Sequence, residues 1–368
     1  VHLERFGKPN TVLIGSDSHT PTGGGLGQIA IGAGGLDVAV AMAKGFYNIV
    51  VPKIYNVKLT GKLADYANGK DVILKILQKL TVKGGTGYIM EYTGDGVKTL
   101  SVTDRATITN MGAELGATTS IFPSDERTRD FLVAQGREED FTPLEPDHDA
   151  FYDEVLEIDL GDIVPMVACP HLPDNVKRVS DIKGLKINQV AIGSCTNSSY
   201  TDMMKAAKIL ENNKVHDDVS LVISPGSANI MRILAENGAL STFIQAGARI
   251  LESGCGPCIG MGQAPKSGGV SLRTFNRNFK GRSGTMDAEV YLVSPQTAAL
   301  SAIKGYLATP ENLAIDLEVE ELKSYGKNEA YFIYPTEEDR NSPLVMGPNI
   351  KEVPKVKNLA TRLRERSS

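Results

Sequence analysis

Apolar and polar positions along the chain alternate between two periods. Short runs rich in β-branched, aromatic and other apolar residues occupy 11–15, 54–59, 88–92, 187–193, 219–224, 249–251 and 289–293, and between them 71–80 and 201–210 carry apolar residues at helical spacing. This alternation predicts an α/β fold of successive three-layer domains with mainly parallel sheets. The expected divisions are the C-terminal part of a first α/β domain at 1–53, a second domain at 54–175, a third at 176–320 and a linker-like tail at 321–368. Ser101 followed by Asp104 predicts a helix start, with hydroxyl and acid placed to satisfy open backbone donors, and a helix running through Asn110 toward Glu114. The charged, proline-containing stretch 125–149 is expected on the surface, and the Glu-, Lys- and Pro-containing stretch from Pro310 onward as an extended linker.

Composition narrows the class. With 368 residues, 41% hydrophobic and 23% charged, the chain reads as a soluble globular protein of two or three domains. A formal net charge of -5 argues against a broad basic face for nucleic acid and favours a small ligand. No run of about eighteen apolar residues is present and no basic segment precedes an apolar one at the N-terminus, so neither a membrane span nor a secretory signal is expected. Four cysteines in a chain of this size argue against a disulfide framework, and reduced thiols suggest the cytoplasm. Because Val1 is followed almost at once by a strand-like run, the sequence reads as part of something longer.

Candidate chemistry concentrates in two stretches, Gly193-Ser194-Cys195-Thr196-Asn197-Ser198-Ser199 and Ser253-Gly254-Cys255-Gly256-Pro257-Cys258-Ile259-Gly260. Both follow strand-like runs, where open α/β sheets build their sites. Cys195, Cys255 and Cys258 suit an iron-sulfur cluster with one ligand too few, because a cubane is normally held by four thiolates and a set of three leaves one iron open to water or substrate. A Cys-x-x-Cys pair equally fits a zinc knuckle, a thioredoxin-like redox pair or two buried thiols. Zinc would usually want a second closely spaced pair, which Cys169 and Cys195 do not form. Cys169 is expected to be a small core residue.

Gly25, Gly27 and Ala30 match a dinucleotide fingerprint, but the preceding strand-like run ends before Ser16 and Phe46 to Val51 offers no acid for a ribose. Nucleotide binding is therefore not expected. Asp17, Ser18 and His19, at a strand end, supply a carboxylate, a hydroxyl and an imidazole within three residues. They fit an acid-base set, and equally a polar turn in which Asp17 and Ser18 cap backbone groups. Arg277 and Arg282, beside Asn276 and Asn278, suit the bidentate binding of a di- or tricarboxylic acid, or are surface charges in weak ion pairs.

Taken in order, these segments resemble the aconitase family of iron-sulfur hydro-lyases, over nearly the whole chain up to about Pro310. The resemblance implies a 4Fe-4S cluster at the centre of the domains, with Cys195, Cys255 and Cys258 as its three ligands and one open iron. It implies Asp17, His19 and Glu114 as catalytic groups, with Glu114 pairing the imidazole, and Ser18, Arg277 and Arg282 as substrate-binding groups. Asn110 and Asn276 match asparagines hydrogen-bonded near the cluster.

The segments Thr196-Asn197-Ser198-Ser199-Tyr200, Val82 to Gly87 and Asn110 to Thr119 resemble aconitase proper more than related dehydratases. The expectation is therefore reversible conversion of citrate to isocitrate through cis-aconitate, as in the tricarboxylic acid cycle. Homoaconitate, isopropylmalate and methylcitrate-type dehydratases are the alternatives, and an iron-responsive RNA-binding protein is the reading from another class, disfavoured by the acidic balance. Upstream histidine and glutamine residues of the family have no match here, nor does the swivelling domain whose serine removes the substrate proton. Ser367 and Ser368 are not assigned that role, and a separate small subunit or missing domain is expected to complete the site.

Overall fold

The strand-like runs form strands at Val12–Gly15, Lys53–Thr60, Tyr88–Thr93, Gln189–Gly193, Ser220–Ser224, Arg249–Ile250 and Glu289–Leu292. The structure, a computed structural model, describes residues 1–327, 329–343, 345 and 348. Chain contacts divide it into one unit ending before Glu329 and a second beginning there. Of the second unit, the described part carries a short helix, Glu337–Asn341, capped by the Thr336 side chain. Half of the tail expected at 321–368, with Ser367 and Ser368, lies outside the described residues.

Within the first unit, Val12–Gly15 pairs in parallel with Ile29–Gly32. A four-stranded parallel sheet follows the order Thr119–Ile121, Tyr88–Thr93, Lys53–Thr60, Glu154–Asp159. A seven-stranded sheet runs Arg249–Ile250, Ser220–Ser224, Gln189–Gly193, Val270–Arg273, Glu289–Leu292, Met166–Ala168, Val176–Arg178, and only its last two joins are antiparallel. The α/β class and the parallel sheets agree with the sequence reading. Strands such as Glu154–Asp159 were not legible, because charge alternates along an edge that buries little.

Gln189–Gly193 is buried at every position, as a central parallel strand must be. Val190 pairs with Leu221 on one side and with Leu272 on the other. From this strand the chain steps outward to 220–224 and 249–250, then returns to place 270–273 on the opposite flank. The order therefore reverses between 189–193 and 270–273, and at such a switch point the loops leaving the carboxyl ends splay apart and open a crevice. Both sheets share a core, since Leu292 and Ala168 of the larger one cluster with Val57 and Met90 of the smaller and with Ile73 of helix Gly69–Leu80.

Helix Val102–Gly112 begins at Ser101, whose hydroxyl accepts from Asp104 N, and continues as a 3-10 turn through Ala113–Leu115. The cap pattern in the sequence thus brings Asn110 and Glu114 to the end of one rod. Helices Gly69–Leu80 and Tyr200–Leu210 each start in a reciprocal capping box, Asn68 with Asp71 and Ser199 with Asp202. The stretch after Asp125 is less superficial than its charge implied: it forms helix Glu126–Ala134, which buries Phe131 and Leu132. The linker reading from Pro310 also needs revising at its start, because Leu317 and Tyr325 are buried in the core of the larger sheet. No helix among the described residues is long and apolar enough to cross a membrane.

Candidate functional site

The crevice at the switch point is a cleft of about 680 Å³, lined by Asp17, Ser18 and His19, by Cys195, Cys255 and Cys258, and by Asn276, Arg277 and Arg282. Asn110 and Glu114 are buried behind its wall and reach it through hydrogen bonds. Segments far apart in the chain meet here because four parallel strands, ending at Gly15, Gly193, Ile250 and Arg273, release their loops toward it.

Backbone geometry delivers Cys195. Gly193 has φ 130°, and a Cβ on it would fall 1.9 Å from the Ser224 carbonyl oxygen, so only glycine fits. Ser194 follows at φ 64°, a sparsely populated conformation for a side-chain-bearing residue. Together they turn the strand sharply and leave Cys195 exposed to the cleft, while protein on its other sides raises its thiol pKa by burial.

Cys255 caps the start of the 3-10 turn Gly256–Ile259, and Cys258 lies within it. Gly260 ends it at φ 82°, where a Cβ would lie 2.3 Å from the Ser283 carbonyl oxygen, and Ser283 Oγ donates to the Cys258 carbonyl at 3.0 Å. The loop carrying Arg282 is thereby packed on the cysteine loop, and Arg282 Nη2 donates to Cys258 Sγ at 3.6 Å. A hydrogen bond from Cys255, then the Arg282 guanidinium, hold the Cys258 thiol below the ordinary range, and the proton they share raises Cys255.

A single amide joins the two cysteine stretches. Asn276 Nδ2 donates to Cys195 Sγ at 3.2 Å, while its Oδ1 lies 3.8 Å from Cys258 Sγ. Asn110 Nδ2 also approaches Cys195 Sγ, at 3.5 Å, and its Oδ1 accepts from Asn276 Nδ2 at 3.2 Å and from Thr196 Oγ1 at 3.1 Å. Thr22 Oγ1, not foreseen from the sequence, accepts from Asn110 Nδ2 at 2.9 Å and fixes that amide's orientation.

On the facing wall, Glu114 Oε1 lies 2.8 Å from both His19 Nε2 and Arg277 Nε. Arginine can only donate, so Glu114 acts here as a carboxylate, and it then holds a proton on His19 Nε2. The other ring nitrogen, Nδ1, lies 3.3 Å from Ser18 Oγ and 4.0 Å from Asp17 Oδ1. Asp17 Oδ1 accepts from His19 N at 2.6 Å and so caps the turn that aims the ring, whereas Ser18 Oγ meets the ring nitrogen and not a backbone group.

Cys169 lies apart, in the core of the larger sheet, and its carbonyl accepts from Asn278 Nδ2 at 2.8 Å. Two buried cations escaped the sequence reading. Lys70 and Arg273 are both inaccessible to solvent, and each binds backbone carbonyls of the site loops. A lysine at the start of an amphipathic helix carries no signal that distinguishes it from a surface lysine.

The residues fit an iron-sulfur cluster. Three thiols face one cleft, and the buried Ser194 Oγ and Arg282 Nε on its lining have no hydrogen-bond partner in the protein. Among the described residues no three acidic, His or Cys side chains gather as a single metal ion would require. A cubane offers a different iron to each thiolate, so its ligands need not converge on one point.

A model of the aconitase family (aconitate hydratase) matches residues 1–305. The chain is 43% identical to 3-isopropylmalate dehydratase large subunit 2 of Archaeoglobus fulgidus, over 84% of this chain and 75% of that one. It is 43% identical to large subunit 1 of the same-named enzyme of Thermotoga maritima, over 83% and 74%. With the large subunit of Caldanaerobacter subterraneus subsp. tengcongensis it shares 46% identity, over 83% and 73%.

Proposed function

The chain belongs to the aconitase family of hydro-lyases, and we propose that within it this protein is the large, cluster-bearing subunit of a 3-isopropylmalate dehydratase. The citrate preference drawn from short sequence segments gives way, since the relatives above carry the isopropylmalate name, and the tricarboxylic-acid-cycle placement goes with it. Of those segments, Thr196, Ser198, Ser199 and Tyr200 line the cleft and Asn110 and Glu114 back it, whereas Val82 to Gly87 lies outside its lining.

One observation carries the reading: three thiols, an aimed imidazole and two arginines open onto one cleft. 3-Isopropylmalate has two carboxylates, a hydroxyl and an apolar branch. Arg277 and Arg282 bind the carboxylates, Arg277 through the nitrogens that Glu114 leaves open, and so set which carbon faces the catalytic groups. A bound 4Fe-4S cluster, held by Cys195, Cys255 and Cys258, supplies a Lewis acid for the departing hydroxyl. His19, with one proton on Nε2 held by Glu114 and a second on Nδ1, releases the Nδ1 proton to the departing hydroxyl and is left neutral with Nε2 still protonated. Ser18 lines the cleft beside it and accepts or donates to a substrate oxygen.

On this reading, the residue that takes the carbon-bound proton belongs to a partner subunit. The large-subunit names of the relatives support a small subunit in that place. A reduced cluster protein of this kind is assigned to the cytoplasm.

The test is anaerobic reconstitution of the full chain with iron and sulfide, then a substrate panel in the presence of a small subunit encoded with it. Uptake of about four irons and turnover of 3-isopropylmalate are expected. Turnover of citrate in place of isopropylmalate would reverse the substrate assignment, and absence of iron uptake would remove the reading altogether.

A further inference from the structure

Lys70 and Arg273 are the large cations of this chain buried without a carboxylate ion pair among the described residues, and both lie against the cysteine loops. Lys70 Nζ donates to the Phe275 carbonyl at 2.5 Å, to the Thr274 carbonyl at 2.9 Å and to Asn197 Oδ1 at 3.5 Å. It enters from helix Gly69–Leu80, which packs on helix Val102–Gly112 and on strands Met166–Ala168 and Val176–Arg178 of the larger sheet, and ties the residues just before Asn276 to those just after Cys195. Arg273 approaches from the strand itself. Its Nη1 donates to the Pro257 carbonyl, between Cys255 and Cys258, and its Nη2 to the Gln263 carbonyl at 3.1 Å and Gln189 Oε1 at 2.9 Å.

A buried ammonium or guanidinium costs several kcal/mol in desolvation and persists only where anionic or dipolar groups compensate it. Around Arg273 those groups are neutral carbonyls, an amide and the Ser271 hydroxyl. Around Lys70 the acids Asp71 and Asp202 are close enough to act on it, but burial raises them to about 7 and about 6 and lowers Lys70 itself to about 7, so the ammonium is held chiefly by the carbonyls it binds. Both cations lie against the loops that carry the thiols, Arg273 through the Pro257 carbonyl between Cys255 and Cys258, and Lys70 through Asn197, two residues after Cys195. Attraction between two charges is mutual, so each cation that the thiolates stabilise stabilises them in turn.

We propose that Lys70 and Arg273 are the paired counter-cations of the three-thiolate site, positioning residues that hold the two cysteine loops by their carbonyls and favour added negative charge on whatever the thiolates bind. The proposal rests on the cluster assignment above and goes beyond it by giving the buried charge a function. Neither residue touches the cleft, so neither is a catalytic residue.

The experiment compares Lys70→Gln with Lys70→Arg in the full chain loaded with cluster, by redox titration followed spectroscopically. Lys70→Gln keeps a hydrogen-bonding end and loses the charge, whereas Lys70→Arg keeps the charge. In Lys70→Gln the ratio of reduced to oxidised cluster at a fixed potential should fall at least tenfold, equivalent to about 59 mV for one electron, and in Lys70→Arg it should stay within threefold. Arg273→Gln and Arg273→Lys are read in the same way and stand in if Lys70→Gln does not fold. A ratio unchanged within twofold in the neutral variants would overturn the proposal, as would equal shifts in the neutral and charge-keeping variants. Failure of both neutral variants to fold would make the cations structural and overturn it too. A wild-type chain that takes up no iron would overturn this proposal together with the functional reading, whereas a loaded chain with unmoved potentials overturns this one alone.

Discussion

His19 Nε2 and Glu114 Oε1, 95 residues apart in the chain, lie 2.8 Å from each other. The imidazole comes from the turn after the first strand and the carboxylate from the 3-10 turn that ends helix Val102–Gly112. Their contact fixes the orientation of the ring and leaves Arg277 anchored on the same oxygen.

Replacing Glu114 with glutamine keeps the shape and removes the charge that orders His19 and Arg277. Turnover of 3-isopropylmalate should fall by roughly 10²–10³ with iron content unchanged. Steady-state rates alongside iron analysis check this, and a rate within threefold of wild type would remove Glu114 from the proton path.

Alanine at Cys195, Cys255 or Cys258 should each reduce bound iron well below about four per chain after reconstitution. Cys169→Ala should load like wild type, because Cys169 packs in the core and its thiol does not line the cleft. Iron analysis and visible absorption read both outcomes, and equal loss in all four variants would point to general instability.

Two glycines with positive φ separate strain from close contact. At Gly184, φ 69°, a Cβ would meet nothing within 4 Å, so alanine should cost about 1 kcal/mol. At Gly193 the same change drives a Cβ to 1.9 Å from the Ser224 carbonyl and should cost more than about 3 kcal/mol, or abolish folding. Urea unfolding of both variants measures the difference.

Burial raises Asp202 from 3.8 to about 6. A carboxyl raised in the folded state binds a proton there before it does in the open chain, so its contribution is full below pH 3.8 and is lost as pH rises through about 6. The stability of wild type relative to Asp202→Asn should therefore increase as pH falls from 7 to 4. Urea midpoints across that range test the sign, and a difference independent of pH would contradict it.

Much of the framework was legible because its signals are local. Ser101 and Asp104 announce a helix start by the chemistry of open backbone donors, and the apolar run at 187–193 could only be a buried strand or a buried helix segment. Glu154–Asp159 stayed hidden because an edge strand shows its charged face to water, and helix Glu126–Ala134 because its charges outnumber the apolar side chains it buries. Lys70 and Arg273 could not be picked out, since nothing in a lysine's or arginine's neighbours along the chain says that it will be taken out of water.

By itself, the sequence determined the α/β class, the cysteine set and the identity of the groups able to hold a carboxylate or a proton, because these follow from residue type and short spacing. The tertiary structure decided which of them meet. It set strand order around Gln189–Gly193, put Asn276 between Cys195 and Cys258, and closed His19 on Glu114. It also buried Lys70 and Arg273 against the cysteine loops. Those relationships depend on long-range packing, where a reversal of strand order places loops from distant segments at one end of a sheet.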